Sequence, residues 1–152
     1  MAMRCVLGAA VVCVAGAAAV VHGGEVTVCS TPMAAIADAA PGSPVVVVLD
    51  AMVPSGATVT DVRVSLDVGH DWVGDLVATV EHEGVVVALL DQIAGSTYPF
   101  GCGGNDLDLT FDDAALVAVG SLCEPTAVPN VDVSGVVMPA MALSAFDGSA
   151  GG

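Results

Sequence analysis

Basic residues are nearly absent from this chain. Its 152 residues include 2 Lys and Arg together, against 17 Asp and Glu, for a formal charge of −15. A phosphate backbone needs a basic surface, so this balance excludes nucleic acid as a partner. Electrostatic docking on anionic lipid is excluded on the same ground. Charged residues make up 12% and aromatics 3%, with one Trp and one Tyr. Runs rich in Glu, Lys and Leu are missing, which disfavours a helical bundle. What remains is apolar and small: 55% hydrophobic residues, 18 glycines and 8 prolines. That is too apolar for a disordered chain. Val-rich runs punctuated by turn residues predict a single β-rich domain.

The N-terminus reads as an address. Arg4 gives a short positive start, and Cys5 to Val21 is an unbroken run of apolar and small residues. Ala17-Ala18-Ala19 and Val21-His22-Gly23 both offer a small-residue cleavage pattern. Residues 1–23 are therefore expected to be a secretory signal peptide. The competing reading is an N-terminal anchor, for which the run is short and weakly apolar. Cleavage would leave Arg63 alone against all 17 acids. It would also leave three cysteines, Cys29, Cys102 and Cys123, in an oxidising compartment where disulfides precede metal sites. Three is odd, so one of them would lack a partner. The expected destination is extracellular or periplasmic, with no membrane contact after cleavage.

Residues 24–35 form a lead-in with little periodicity. Val45 to Leu49 is a continuous apolar run, as in a buried strand. Val62, Val64, Leu66 and Val68 alternate with Arg63, Ser65 and Asp67, which predicts a strand with one dry face. Asp75 to Glu81 alternates again, and Glu83-Gly84 predicts a hairpin into Val85 to Leu90. Leu107, Leu109 and Phe111 mark another strand, Leu116 to Val119 a weaker one, and Val131 to Val137 the last. Six or seven short strands predict an all-β fold, an antiparallel β-sandwich of jelly-roll type.

The string VTDVRVSLDVGHDWVGDLVATVEHEG lies within Val59 to Leu90. Its order is strand, His-x-x-x-Gly-Asp-Leu, strand, acidic turn, strand. It resembles the P domain, or P/Homo B domain, of subtilisin-like proprotein convertases such as furin and kexin. His70, Gly74, Asp75 and Leu76 match the family signature. Ala35-Ile36-Ala37-Asp38 resembles the domain's opening Ile-Pro-Asp step, with Ala37 in place of proline. Phe100 to Asp106 and Phe111-Asp112-Asp113 resemble a bacterial version with a disulfide loop. Leu143 to Gly148 resembles the stretch before the family's closing Gly-Thr-Trp strand. The resemblance covers roughly residues 36–148, and the domain is taken as 36–152, incomplete at its C-terminus. It implies a Cys102–Cys123 bridge, with Cys29 then pairing to a cysteine in the terminal strand that is not present. It further implies a secreted, non-catalytic accessory domain of a subtilisin-like serine endopeptidase, associated with proteolysis in a stabilising or regulatory role. The expected partner is that protease domain or another secreted protein.

No Gly-x-Ser-x-Gly nucleophile elbow occurs, so no catalytic residue is assigned. His70 is either a base beside Asp71 or a turn histidine whose ring bonds a neighbouring carbonyl; the second is preferred. Asp75, at a strand start, is expected to accept backbone N–H bonds. Trp72 and Tyr98 are either packing or a ligand platform; the latter would make the chain a stand-alone adhesion module for a glycan or surface polymer. Asn105, Asp106, Asp108, Asp112 and Asp113 concentrate oxygen ligands near a Gly-rich loop, a set suited to calcium. The alternative is an acidic surface that keeps an apolar chain dispersed. No other cofactor is expected.

Overall fold

A computed structural model describes residues 2–6, 10–19, 24–30, 46–50, 56–94, 101–123 and 132–149. Its regular elements are strands: β1 (Ala2–Val6), β2 (Ala10–Ala19), β3 (Gly24–Ser30), β4 (Val46–Asp50), β5 (Thr58–Val68), β6 (Val77–His82), β7 (Val85–Asp91), β8 (Leu107–Phe111) and β9 (Val133–Val137). Three short 3-10 turns span Val73–Asp75, Val119–Ser121 and Leu143–Phe146. The fold is all-β, as the composition and period-two patterns predict.

Two sheets are formed. One has the order β4-β1-β6-β7 and the other β3-β2-β5-β8-β9. Among the described residues the named strands pair antiparallel except β8 with β9, which run parallel, as does the isolated bridge Ala118–Met138. The expected purely antiparallel arrangement is corrected at that edge. Inward residues of both sheets share one buried cluster. Val62, Val64, Leu66 and Val68 meet Leu107, Leu109 and Phe111 from one sheet, and Ala78, Val80, Val87 and Leu89 from the other.

Two register shifts adjust which residues face inward. Ala17 faces Asp61 while Ala18 faces Val59, so Thr60 is the extra residue of a bulge in β5. The bulge lets Val59 and Val62 both turn inward although three positions separate them. In β7, Ala78 faces Leu90 and Thr79 faces Ala88, which buries the consecutive Leu89 and Leu90. The Glu83-Gly84 hairpin has φ of 51° and 81°. Positive φ at both central residues matches the right-handed twist of the flanking strands.

Residues 24–35, read as a lead-in with little periodicity, contain β3. Residues 1–23 contribute β1 and β2, each an interior strand of its sheet. Cys29 is disulfide-bonded, and in the β2–β3 register Cys13 stands opposite it. The expectation that Cys29 awaits a cysteine in an absent terminal strand is thereby corrected. The Cys102–Cys123 bridge is present, with a Cα–Cα distance of 5.8 Å. Closing a loop of that size contributes roughly 3 kcal/mol by restricting the unfolded chain.

Candidate functional site

The motif residues gather where the connection from β5 to β6 meets the Gly-rich loop 101–106. Val73 N–H donates to the Gly104 carbonyl (2.9 Å) and Gly74 N–H to the Cys102 carbonyl (2.9 Å). Cys102 N–H in turn donates to the Ile93 carbonyl (2.8 Å). Two backbones cross here at close range. A Cβ on Gly74 would fall on the Cys102 nitrogen and lie 2.7 Å from the Gly101 carbonyl carbon. Gly101, at φ +65°, is pressed against Gly74 from the other side. The glycine of the Gly-Asp-Leu step is thus required by contact. Leu76 is buried, and Asp75 is exposed. The expectation for Asp75 is revised: the bond it makes in the turn is donated by its own N–H to the Trp72 carbonyl (3.1 Å).

His70 sits in a clasp with Asp106. Its N–H donates to Asp106 Oδ1 (3.1 Å), and its carbonyl accepts the Asp106 N–H (2.9 Å). The ring's Nδ1 accepts the Trp72 N–H at 3.0 Å. This reverses the polarity expected for the turn, in which the ring was to bond a carbonyl. With Nδ1 as acceptor, the neutral ring carries its proton on Nε2. Trp72 is 38% exposed and lays its ring over Gly103, where a Cβ would be 3.1 Å away. Tyr98, the other half of the expected platform, lies outside the described residues.

The five oxygen-rich residues are not assembled into one ligand set. Asp106, with φ +31°, is committed to His70. Asn105 is half-buried, and Asp108 is exposed on β8 opposite Asp67 of β5. Asp112 accepts Arg63 Nε (2.6 Å) at one oxygen and the Ala114 N–H (2.8 Å) at the other. The Ala114 N–H bond holds the Asp112 carboxyl below its usual range; partial burial opposes this, and the Arg63 guanidinium adds to it. Asp113 spends both oxygens on the backbone N–H groups of Leu143 and Ser144, each at 2.8 Å. Among the described residues, no three His, Cys, Asp or Glu side chains are grouped to hold a metal ion. The set does not fit calcium as the sequence alone suggested, because Asp112 is committed to Arg63 and Ala114 and Asp113 to Leu143 and Ser144.

Sequence reasoning missed those bonds. Asp112 and Asp113 each have a short carboxylate next to a turn, a signal equally suited to ligation and to capping. What separates the two is the arrival of Arg63 and Leu143 from distant parts of the chain. Among the described residues no helix is long and apolar enough to cross a membrane. No family model, no curated protein and no solved structure matches this chain.

Proposed function

We propose that the chain is an exported, non-catalytic accessory module of the P/Homo B type that acts by binding a subtilisin-like serine endopeptidase and stabilising or regulating it. One observation carries this reading. Apart from the exposed Asp75 carboxylate, the polar groups at the motif and its facing loop are spent on the fold itself: the His70 ring on Trp72, the Asp106 carboxylate on His70, and the Gly74 backbone on Cys102. Such residues build a rigid turn at the junction of two loops, as a scaffold motif should. The Cys102–Cys123 bridge accords with an oxidising compartment. Removal of residues 1–23 on export would take away β1 and β2, each an interior strand, so the intact mass of the secreted protein distinguishes a cleaved signal from an N-terminus kept as part of the fold.

The functional test has two arms. Purified, oxidised protein is incubated with a quenched fluorescent peptide library, and no cleavage is expected. Turnover abolished by a serine-protease inhibitor would overturn the non-catalytic assignment. In the second arm the protein is added to a subtilisin-like catalytic domain. A ligand of the folded protease must raise its melting temperature, and no shift at micromolar concentration would remove the accessory role.

A second reading draws on the partial exposure of Trp72. A stand-alone adhesion module would use that ring as a sugar platform. Titration with oligosaccharides should then quench Trp72 fluorescence saturably, and Trp72→Ala should abolish binding without lowering the melting temperature by more than a few degrees.

A further inference from the structure

The segment Ala140–Ser149 runs from one sheet to the other. At its start, Ala140 and Met141 N–H groups donate to the carbonyls of Leu89 and Ala88 in β7, each at 2.9 Å. At its end, Gly148 N–H donates to the Val59 carbonyl (2.8 Å), and Val59 N–H donates to the Ser149 carbonyl (3.1 Å). Val59 belongs to β5 of the other sheet. Between these ends lies the 3-10 turn Leu143–Phe146. Leu143 and Phe146 are each 1% exposed, while most of the intervening residues face solvent. The Phe146 ring meets the buried His82 ring edge-on, at a centroid distance of 6.2 Å.

This turn has no side-chain cap from its own N-cap residue, Ala142. The cap comes from Asp113, thirty residues earlier, whose two oxygens take the N–H groups of Leu143 and Ser144. Orphan donors at the start of a helical turn need such an acceptor. We infer that Ala140–Ser149 is a strap that opens as a unit, with the Asp113 carboxylate as its latch. The strap has two apolar anchors, whereas β5 alone buries Val59, Val62, Val64, Leu66 and Val68. Segments with few buried contacts open below the free energy of global unfolding. Opening uncovers His82 and the inward residues of β5 and β7 against which the turn lies. This inference stands apart from the accessory reading and does not depend on it.

Hydrogen exchange on the full chain tests it, comparing the native protein with Asp113→Asn and Asp113→Ala. Two bonds to a charged acceptor are lost in Asp113→Ala, so the amides of Ala140, Met141 and Gly148 should exchange at least about tenfold faster. The amides of Val64 to Val68 and Leu107 to Phe111 should keep their native rates. Asp113→Asn retains one acceptor oxygen and should fall between the two. Unchanged strap exchange in Asp113→Ala would overturn the latch. Equal acceleration in the β5–β8 ladder, or failure of either variant to fold, would overturn the separate unit, because the strap would then open only with the core.

Discussion

At Gly74 the backbone of the β5–β6 connection passes so close to Gly101 and Cys102 that a methyl group has no place. Gly74→Ala must push the two loops apart, breaking the Gly74–Cys102 bond and straining the Cys102–Ile93 bond. The expected loss is at least about 3 kcal/mol, at the upper end for overpacking, and chemical denaturation measures it. Asp112 makes a pH-dependent contribution whose sign follows from its lowered folded pKa. An ordinary Asp titrates near 3.9 when unfolded. The stabilisation is therefore fully present above that value and is lost as pH falls from about 4 through the lower folded value. Denaturation midpoints between about pH 5 and 2 should fall less steeply for Asp112→Asn than for the native protein. At neutral pH the exposed Arg63 limits the pair, and a double-mutant cycle should give about 0.5 kcal/mol.

Elements carry two further imperfections that can be relieved. The β6–β7 hairpin places Glu83 at φ 51°, where a side chain with Cβ is strained and Asn is tolerated. Glu83→Asn should raise stability by about 0.5–1 kcal/mol, read as a higher melting temperature with an unchanged denaturant slope. Between β5 and β8, Asp67 stands directly opposite Asp108. Like charges at facing positions repel, so Asp108→Asn should stabilise by about 0.5 kcal/mol at low salt. That gain should shrink in 1 M NaCl, where screening acts over only about 3 Å. A gain independent of salt would assign the effect to strand propensity instead.

For the whole molecule the dominant fact is a charge of −15. Such a surface resists self-association and repels other acidic surfaces. It also draws cations diffusely, so a specific calcium site must be distinguished from general screening. With Asp112 and Asp113 committed to Arg63, Ala114, Leu143 and Ser144, millimolar calcium should raise the melting temperature no more than magnesium does. A calcium-specific rise would return Asn105, Asp106 and Asp108 to the account as ligands.

Strands whose dry face repeats every second residue can be read directly from the order of residues. β7 and β8 fall within a residue of the positions that Val85 to Leu90 and Leu107 to Phe111 mark out, and β5 ends with the Val62 to Val68 pattern but starts four residues before it, at Thr58. The Glu83-Gly84 turn is legible in the same way, whereas the Cys102–Cys123 bridge was expected only from the resemblance and is found in the fold. β6 begins two residues late because Gly74 and Asp75 are held in a 3-10 turn by the crossing loop, a contact that local pattern does not encode. β3 was passed over although Val26, Thr27 and Val28 are strand formers; the run is short, and what fixes it as a strand is its pairing with β2. Only the tertiary structure decided what the acidic residues do. A carboxylate beside a turn has the same sequence signature whether it holds an ion, faces water or caps a distant backbone. Asp106, Asp112 and Asp113 became structural because His70, Arg63 and Leu143 were brought to them by folding, and a hydrogen bond depends on distance in space and not on separation along the chain.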